Sequence, residues 1–517
     1  MKDDLRYRPR YQDERGEWQP NVLRDPQPDS IRQLMRILLE GTGRGAVLAD
    51  EQGTGKTATS IIAAYSLRHL VGGYLRIGLV GTKNVLGDWK KEIIRWQVHP
   101  DLVITLKNRH SIDPDTVKSG WLLVSYDTVA YYFPPARRSM MPPLDLLIVD
   151  ESQYLKEPTI KRTNMIYGGT YQNCHIPPIP AKRVICISGT PLKNRPEELF
   201  TALHHLDPER WPDHRQFIRD HYIEGHLVDN KGRVTGSPNP AAIDRLRETL
   251  RSSILVRHRK DPYLPRKHYE RIWLSIFDLG ERSLAPVFAS SRRSIRIINS
   301  KILKAVETSD WQTYAKLKEK LNQTQEQMRE MTGSAKFRPL LAYLVNQVRT
   351  TDDKVVVFLY HDDLIQGLAE NLQSAGYGCV TLTGNTPDSQ VPRRVFKHDG
   401  SCRFFIGNLG AAGVGITLVE SAHVVFGEIP WTPAEWMQAQ DRVHRFGQTR
   451  EVTVTTFLLT EGYDAEMFDS VRRKTRILRQ VLDADWNADD QFTDREWHSK
   501  DGGEFEISPR GMRACED

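Results

Sequence analysis

Short, mostly apolar runs alternate in the first half of the chain with longer segments whose apolar residues recur every three or four positions. Such short runs are typical of strands buried on both faces of a parallel sheet, whereas the longer spacing is typical of amphipathic helices. The runs lie at 46–49, 76–81, 121–126, 144–149 and 182–187. The pattern therefore predicts a doubly wound α/β domain over residues 31–255, with its first helix capped at Asp29 or Ser30.

The same alternation returns over residues 336–482, so we expect a second parallel-sheet domain there. Its apolar runs lie at 354–359, 377–384, 403–406 and 422–426. Residues 256–335 are basic at first and then rich in Lys, Glu and Gln, which predicts a helical protrusion or linker between the two domains. Residues 1–30 show no periodicity and are interpreted as an N-terminal extension, and 483–517 as an acidic, disordered tail.

Charge is unevenly distributed along the chain. Residues 483–517 include 11 acidic and 4 basic residues and so carry a net charge of −7, whereas the whole chain carries +6. Residues 1–482 therefore carry +13, a balance that suits a polyanionic partner. The alternative is that these surface charges only maintain solubility.

The five cysteines are scattered without a C-x-x-C pair, which indicates neither a zinc site nor a disulfide framework. No apolar run has the length of a membrane span, and the charged N-terminus lacks the apolar core of a secretory signal. We therefore expect a cytoplasmic protein, associated with the nucleoid in a bacterium or present in the host cytoplasm if viral, with no membrane partner.

A glycine-rich loop follows the first apolar run and precedes a helical pattern. Gly53 and Gly55 allow backbone N–H groups to approach phosphates, Lys56 supplies a positive charge, and Thr57 offers a hydroxyl to Mg²⁺. Asp50 stands where the strict phosphate-loop pattern has its first glycine. The alternative is a Gly-rich turn before an ordinary helix.

Two adjacent carboxylates, Asp150 and Glu151, follow another buried run. Acidic side chains at such a position are costly unless a cation sits there. Asp150 is interpreted as a ligand of Mg²⁺ and Glu151 as the group that activates water, the alternative being an acidic turn. Gln33 precedes the glycine loop and has the donor and acceptor that fit an adenine edge, although a surface glutamine is commoner.

Arg442 and Arg445 are three residues apart, which predicts that they share one face of a helix. They are suited to an external anion such as a γ-phosphate. A solvated basic face is the alternative.

Taken in order, these segments resemble the Swi/Snf-type ATPases of helicase superfamily two. The resemblance covers about residues 31–480, and the details of three segments are most similar to the annealing-helicase (HARP) branch: Ala411-Ala412, Gly415-Ile-Thr417 and Phe426-Gly-Glu428-Ile-Pro-Trp431. The matching segments are Gln33, Asp50-Glu-Gln-Gly-Thr-Gly-Lys-Thr57, Val85-Leu-Gly-Asp-Trp89, Ser125-Tyr126, Asp150-Glu-Ser-Gln153, Ser188-Gly-Thr-Pro-Leu192, Gly413-Val-Gly415 and Gln438-Ala…Arg442…His444-Arg445-Phe-Gly-Gln448.

The resemblance implies two RecA-like lobes with ATP and Mg²⁺ between them. Its nucleotide site would comprise Gln33, Asp50, Gly53, Thr54, Gly55, Lys56, Thr57, Gly415 and Gln438, with Thr57 and Asp150 holding the metal. Lys56, Asp150, Glu151, Arg442 and Arg445 would be catalytic, with Arg445 as the arginine finger. Lys83, Ser125, Thr383 and Asn408 would lie along the DNA backbone. The chain departs from the usual family residues at Thr82, Gln153, Asn408 and Gly410.

On this resemblance we expect an ATP-dependent translocase on double-stranded DNA, gripping the backbone without sequence preference. It is expected to be monomeric, with a protein partner possible at the termini. Two alternatives stay open: a strand-separating helicase on DNA or RNA, and an ATP-gated DNA clamp that recruits a partner.

Overall fold

The computed structural model describes twelve segments of the 517-residue chain. They are 10–12, 18–97, 101–106, 113–223, 237–258, 264–308, 310–388, 390–410, 416–483, 495–498, 505–508 and 511–514. The described residues form two compact units. Unit 1 comprises the described residues within Met1–Tyr263 and Ile477–Trp486. Unit 2 comprises the described residues within Leu264–Arg476 and Asn487–Asp517.

Unit 1 alternates strands and helices as the hydrophobic pattern predicts. Its strands are β1 (Arg10–Gln12), β2 (Trp18–Pro20), β3 (Gly45–Leu48), β4 (Arg76–Gly81), β5 (Val103–Leu106), β6 (Gly120–Ser125), β7 (Leu146–Val149), β8 (Gly169–Tyr171), β9 (Cys174–Ile176), β10 (Val184–Ile187), β11 (Tyr222–Ile223), β12 (Ser237–Pro238) and β13 (Leu255–Val256). Its helices are α1 (Gln27–Glu40), α2 (Lys56–Val71), α3 (Leu86–Trp96), α4 (Val129–Tyr132), α5 (Lys161–Tyr167), α6 (Phe200–Leu206), α7 (His214–His221) and α8 (Pro240–Ser253).

Seven strands of unit 1 form one parallel sheet in the order β13-β3-β10-β7-β4-β6-β5. Successive residues of each strand face opposite sides of a sheet. Accordingly Leu147 and Val149 of β7 pack in one buried cluster, and Leu146 and Ile148 pack in another. Helices α1 to α3 cover the second cluster, so the sheet is buried on both faces as predicted.

Unit 2 has the same architecture. Its strands are β14 (Lys267–Leu274), β15 (Val355–Leu359), β16 (Gly378–Leu382), β17 (Cys402–Asn408), β18 (His423–Phe426), β19 (Val452–Leu459), β20 (Arg495–His498), β21 (Phe505–Ser508) and β22 (Gly511–Ala514). Its helices are α9 (Ala285–Glu307), α10 (Trp311–Ala335), α11 (Phe337–Thr350), α12 (Asp362–Ser374), α13 (Gln390–His398), α14 (Pro433–Gln440) and α15 (Asp464–Leu482). The strands β16-β17-β15-β18-β19-β14-β20 form a second parallel sheet in that order.

Among the described residues of the helical protrusion predicted at 256–335, helical structure begins with a 3-10 helix at Arg282–Leu284 and continues through α9 and α10. The segment before it contains β14, which lies inside the sheet of unit 2 between β19 and β20. Lys267, Glu270 and Arg271 interrupt the apolar pattern of β14, and Arg271 is buried in it, which hid the strand from an analysis based on apolar runs.

Within 483–517, where the sequence predicts a disordered tail, the structure describes Asp483, β20 and the hairpin of β21 and β22. The remainder of that predicted tail lies outside the described residues.

Helix α15 begins in unit 2 and ends in unit 1. Its last turn places Leu478, Val481 and Leu482 in the hydrophobic core of unit 1, where each is at most 5% exposed. Unit 1 is therefore built from two separate stretches of sequence. In the part of the chain that the structure describes, none of the helices combines the length and apolar character needed to cross a membrane.

Candidate functional site

The glycine loop lies between β3 and α2, as the sequence predicts. Gly53 and Gly55 have φ angles of 83° and 84°, in the left-handed region that favours glycine. Gly55 is the N-cap of α2 and provides no side-chain cap, so the cap does not occupy the first N–H groups of the helix. This arrangement favours the binding of an anion at the start of α2.

Lys56 is the first residue of α2, and its ammonium group turns back into the loop. Nζ donates to the carbonyl oxygens of Asp50 and Glu51, both at 2.9 Å. Burial lowers the pKa of Lys56 to about 8, although the charges of Asp50 and Glu151 act in the opposite direction. Lys56 is therefore a partly desolvated cation whose present partners are neutral carbonyls, and an incoming phosphate would stabilise its charge.

Asp150 and Glu151 follow β7, and their backbone is arranged unusually. Glu151 has a φ of 52°, rare for a residue with a side chain, and precedes a short 3-10 helix at Ser152–Leu155. Strained backbone of this kind is concentrated at functional sites. The Gln153 amide donates to the Glu151 carboxylate and fixes its direction.

The Asp150 carboxylate is held from two sides. Trp89 Nε1 donates to Oδ2 at 2.7 Å, and the Glu151 backbone N–H donates to Oδ1 at 2.9 Å. Burial, followed by the neighbouring charge of Glu151, raises the pKa of Asp150 to about 6. Because a carboxylate accepts about four hydrogen bonds, lone pairs are left for a metal ion or its water shell.

The sheet order brings the two halves of this site together. Strands β3, β10 and β7 are neighbours and parallel, so the loops that follow them emerge at one edge. Gly189, after β10, lies so close to Lys56 that an added Cβ would be 3.0 Å from Nζ. Asp150 and Glu151 are both near enough to influence the Lys56 charge. The glycine loop and the acidic pair therefore form one site in unit 1.

Sequence reasoning missed Gln27, which contacts the glycine loop directly. Its Nε2 donates to the Gly55 carbonyl at 3.0 Å, and its Oε1 accepts from the Arg24 backbone N–H at 2.8 Å. Helix α1 begins at Gln27 rather than at the predicted cap near Asp29. Gln27 precedes the apolar periodicity, which offered no signal for it.

Gln33 lies almost two turns further along α1. Its Nε2 is 3.1 Å from His258 Nε2, and His258 Nδ1 is 2.9 Å from Asp50 Oδ1. The other Asp50 oxygen accepts from Ser30 Oγ at 2.5 Å. Asp50 thus anchors the base of the glycine loop to α1 and to the end of β13. The predicted contacts of Gln33 and Asp50 with a nucleotide stay predictions.

The prediction that Arg442 and Arg445 share a helix face was wrong. Helix α14 ends at Gln440, and both arginines lie in turns after it. The Arg442 carbonyl accepts from the Leu418 N–H at 2.8 Å, so it is taken by another segment rather than by a continuing helix. Arg445 is half-buried and donates to the Ile416 carbonyl at 3.4 Å, and burial lowers its pKa.

Among the other predicted nucleotide-site residues, Thr54 lies in the glycine loop, Thr57 in α2 and Gln438 in α14. Thr54 is buried, and its hydroxyl donates to the Glu51 carbonyl at 2.8 Å; Thr57 and Gln438 are half-buried. Gly415 lies outside the described residues.

The four predicted DNA-backbone residues lie at the ends of strands or just after them. Lys83 is exposed after β4. Ser125 is the last residue of β6, and its hydroxyl lies 2.9 Å from that of Thr128 in the turn that follows. Thr383 directly follows β16, and its backbone N–H donates to Thr386 Oγ1 at 3.0 Å. Asn408 ends β17 and donates to the Tyr360 carbonyl at 2.6 Å. Their proposed role on DNA stays a prediction.

Two known domain families match this chain. Residues 27–330 match the SNF2-related domain, and residues 335–447 match the helicase conserved C-terminal domain. The chain belongs to the SNF2-related family. The first match contains both the glycine loop and the acidic pair, and the second contains Arg442 and Arg445. The predicted resemblance and the two RecA-like lobes are thereby confirmed.

Several vertebrate SNF2-related proteins are similar to this chain. It is 26% identical over 445 residues to the SWI/SNF-related matrix-associated actin-dependent regulator of chromatin subfamily A-like protein 1 of Xenopus tropicalis, covering 84% of this chain and 43% of that protein. It is 25% identical over 451 residues to the DNA annealing helicase and endonuclease ZRANB3 of Mus musculus, covering 84% and 39%, respectively. The chain thus spans about two fifths of the length of these relatives.

A similar solved structure is the Sulfolobus solfataricus SWI2/SNF2 ATPase core in complex with dsDNA. It is 19% identical, with a TM-score of 0.40, and the match covers 90% of this chain and 98% of that one.

The depressed pKa of Lys56 predicts how nucleotide affinity responds to pH. Phosphates would raise this pKa on binding, so affinity should be constant below pH 8 and fall above it, by up to about tenfold per pH unit. Titration of a fluorescent ATP analogue between pH 7.5 and 9.5 measures this. The Lys56→Arg variant keeps its charge over that range and should show a flat profile wherever it binds. An unchanged affinity of the wild type at pH 9.5 would contradict the assignment.

Proposed function

We propose that this SNF2-related chain is an ATP-dependent translocase on double-stranded DNA. One observation supports the ATPase part above all. A glycine loop with a desolvated lysine follows β3, and an acidic pair with strained backbone follows β7, two strands of one parallel sheet that only β10 separates. Each of these features is functionally ambiguous alone, but together they match the needs of a triphosphate and its metal.

In this proposal different residues of unit 1 bind the phosphates, bind the metal and accept a proton. The N–H groups of the loop and the Lys56 ammonium hold the phosphates, while Thr57 and Asp150 hold Mg²⁺. The metal, when bound, neutralises charge on the phosphate oxygens. Glu151, aimed by Gln153, accepts a proton from the attacking water. Arg442 and Arg445 belong to unit 2, and their action at this site stays a prediction.

Double-stranded DNA is the proposed substrate for two reasons. The names of similar proteins include a DNA annealing helicase, and the charge of residues 1–482 suits a polyanion. Grip through backbone phosphates would be independent of sequence and sensitive to salt. We propose movement along the duplex, with annealing rather than separation of strands, by a monomer that uses ATP and Mg²⁺.

Phosphate release by the purified chain should rise at least tenfold with duplex DNA. The stimulation should fall steeply between 50 and 200 mM salt, because phosphate contacts release counterions. A panel of duplex, single-stranded, forked and RNA ligands, measured at equal nucleotide concentration, identifies the preferred substrate. Stimulation by single strands or RNA alone would favour a strand-separating helicase. Slow hydrolysis that no DNA accelerates would favour the ATP-gated clamp.

A further inference from the structure

Four charged side chains form a buried group beside the glycine loop, which we name the ion cluster: Glu51, Arg257, Arg479 and Asp483. Each side chain is at most 9% exposed. Two positive and two negative charges balance within it. Glu51 belongs to the loop and Arg257 follows β13, whereas Arg479 and Asp483 come from the end of α15.

The contacts of the ion cluster are mutual. Arg257 Nε donates to Asp483 Oδ1 at 2.9 Å, and its Nη2 donates to Glu51 Oε1 at 3.2 Å. Arg479 Nη1 lies between the two carboxylates, 3.3 Å from Glu51 Oε1 and 3.2 Å from Asp483 Oδ2. Although burial opposes it, the charges of Arg257 and Arg479 hold the pKa of Asp483 below its usual range.

Arg257 also contacts the main chain on both sides of the site. Its Nη1 donates to the Ala49 carbonyl at 2.6 Å, where the glycine loop begins, and approaches the Gly189 carbonyl at 3.4 Å. Gly189 is the residue that packs against Lys56. Asp483 orients the Arg257 guanidinium, which in turn contacts the residues that follow β3 and β10. Asp483 can therefore affect the backbone on both sides of Lys56.

Glu51 connects the ion cluster to the groups predicted to hold phosphate. Its side chain is bound by the two arginines, while its backbone carbonyl accepts from Lys56 Nζ at 2.9 Å and from Thr54 Oγ1 at 2.8 Å. A change in the Glu51 side chain therefore shifts the carbonyl to which Lys56 is tethered. Arg479 is thus linked to Lys56 through one residue, Glu51.

We infer that Arg479 and Asp483, at the end of α15, are positioning residues for the glycine loop and set its affinity for the phosphates of a nucleotide. They do not touch the predicted nucleotide themselves and act through Glu51 and Arg257. The apolar residues of the same turn, Leu478, Val481 and Leu482, hold this end of α15 in the core. This inference rests on the proposed ATP site.

A purely structural role would give a different result. If the ion cluster only stabilises unit 1, its loss lowers the unfolding temperature and leaves the nucleotide affinity of the folded protein unchanged. If it positions the loop, affinity falls in protein that is still folded. Measurement of affinity at a temperature well below the unfolding transition separates these roles.

The test uses the full chain without DNA. Arg479→Gln should weaken binding of a fluorescent ATP analogue at least fivefold and raise the KM for ATP by a similar factor, with a smaller change in kcat. Arg479→Lys keeps the charge and should recover part of the affinity. Arg476→Gln, which removes an exposed arginine one turn earlier in α15, serves as the matched control.

Two further measurements make the result decisive. Hydrogen exchange of the peptide that contains residues 51–57 should accelerate in Arg479→Gln, while exchange in β4 stays at the wild-type rate. In a double-mutant cycle, Arg479→Gln should add little to the loss of affinity in Glu51→Gln, because removal of the Glu51 carboxylate already breaks its link to Arg479. If Arg479→Gln does not fold, Asp483→Asn is measured in the same way.

Equal affinity of folded wild type and variants, or additive losses in the cycle, would overturn the inference. Failure of the wild type itself to bind the nucleotide would instead overturn the proposed function. The two failures are therefore distinguishable in one set of titrations.

Discussion

Replacing Glu151 with glutamine should lower phosphate release by about 10²–10⁴-fold, the usual contribution of a positioned general base. The change preserves the size of the side chain and an oxygen that can accept from Gln153, so the turn after β7 should keep its shape. Nucleotide binding should persist, because Lys56 and the glycine loop are untouched. The expected variant therefore binds ATP and fails to hydrolyse it.

Phosphate release in single-turnover conditions, together with affinity for a fluorescent ATP analogue, checks this prediction. Lys56→Ala should lose hydrolysis through weaker binding, which gives a contrasting pattern. Glu157→Gln removes an exposed carboxylate six residues later and is the matched control. Turnover by Glu151→Gln within threefold of the wild type would remove Glu151 from the mechanism.

Replacing Lys336 with methionine should destabilise unit 2 by roughly 3–5 kcal/mol, since it leaves a buried carboxylate without its partner. Lys336 is 1% exposed. Its Nζ is 2.7 Å from Asp464 Oδ2 and donates to the Phe457 carbonyl at 2.9 Å. The unfolding temperature should fall by about 6–20 °C, at about 2–4 °C per kcal/mol for a unit of this size.

Differential scanning calorimetry with a second substitution tests the physical reason. Adding Asp464→Asn removes the stranded charge and keeps an acceptor for the Leu459 N–H, so much of the stability should return. Lys301→Met, at an exposed position of α9, should change the unfolding temperature by no more than about 2 °C. No recovery in the double variant would show that the loss comes from packing rather than from charge.

Most strands of the two parallel sheets could be predicted because they are nearly continuous apolar runs. The sequence also identified Lys56, Asp150 and Glu151, since strand, loop and chemistry coincide at these residues. It did not reveal β14, because Lys267, Glu270 and Arg271 interrupt the apolar pattern of a strand that lies inside the sheet. The sequence analysis also wrongly predicted that a helix continues through Arg442. Residue spacing alone does not show that the Arg442 carbonyl accepts a hydrogen bond from Leu418, in another segment.

The contacts missed at the site are those made over long distances in sequence. Gln27 reaches Gly55 across 28 residues, and Arg479 reaches Glu51 across 428. No local periodicity indicates such pairs, because each residue looks like an ordinary polar surface position in its own segment. Burial, which only the fold supplies, distinguishes Arg479 from its exposed neighbour Arg476.

The return of the chain to unit 1 at residue 477 has a consequence for chimaeras with other SNF2-related proteins. An exchange that takes only the residues before 264 would pair a foreign glutamate or arginine with the native Asp483 and Arg479. Two compatible lobes could then produce a hybrid with poor nucleotide affinity. A chimaera that keeps the ion cluster intact therefore has to take residues 477–483 from the same parent protein as the first lobe.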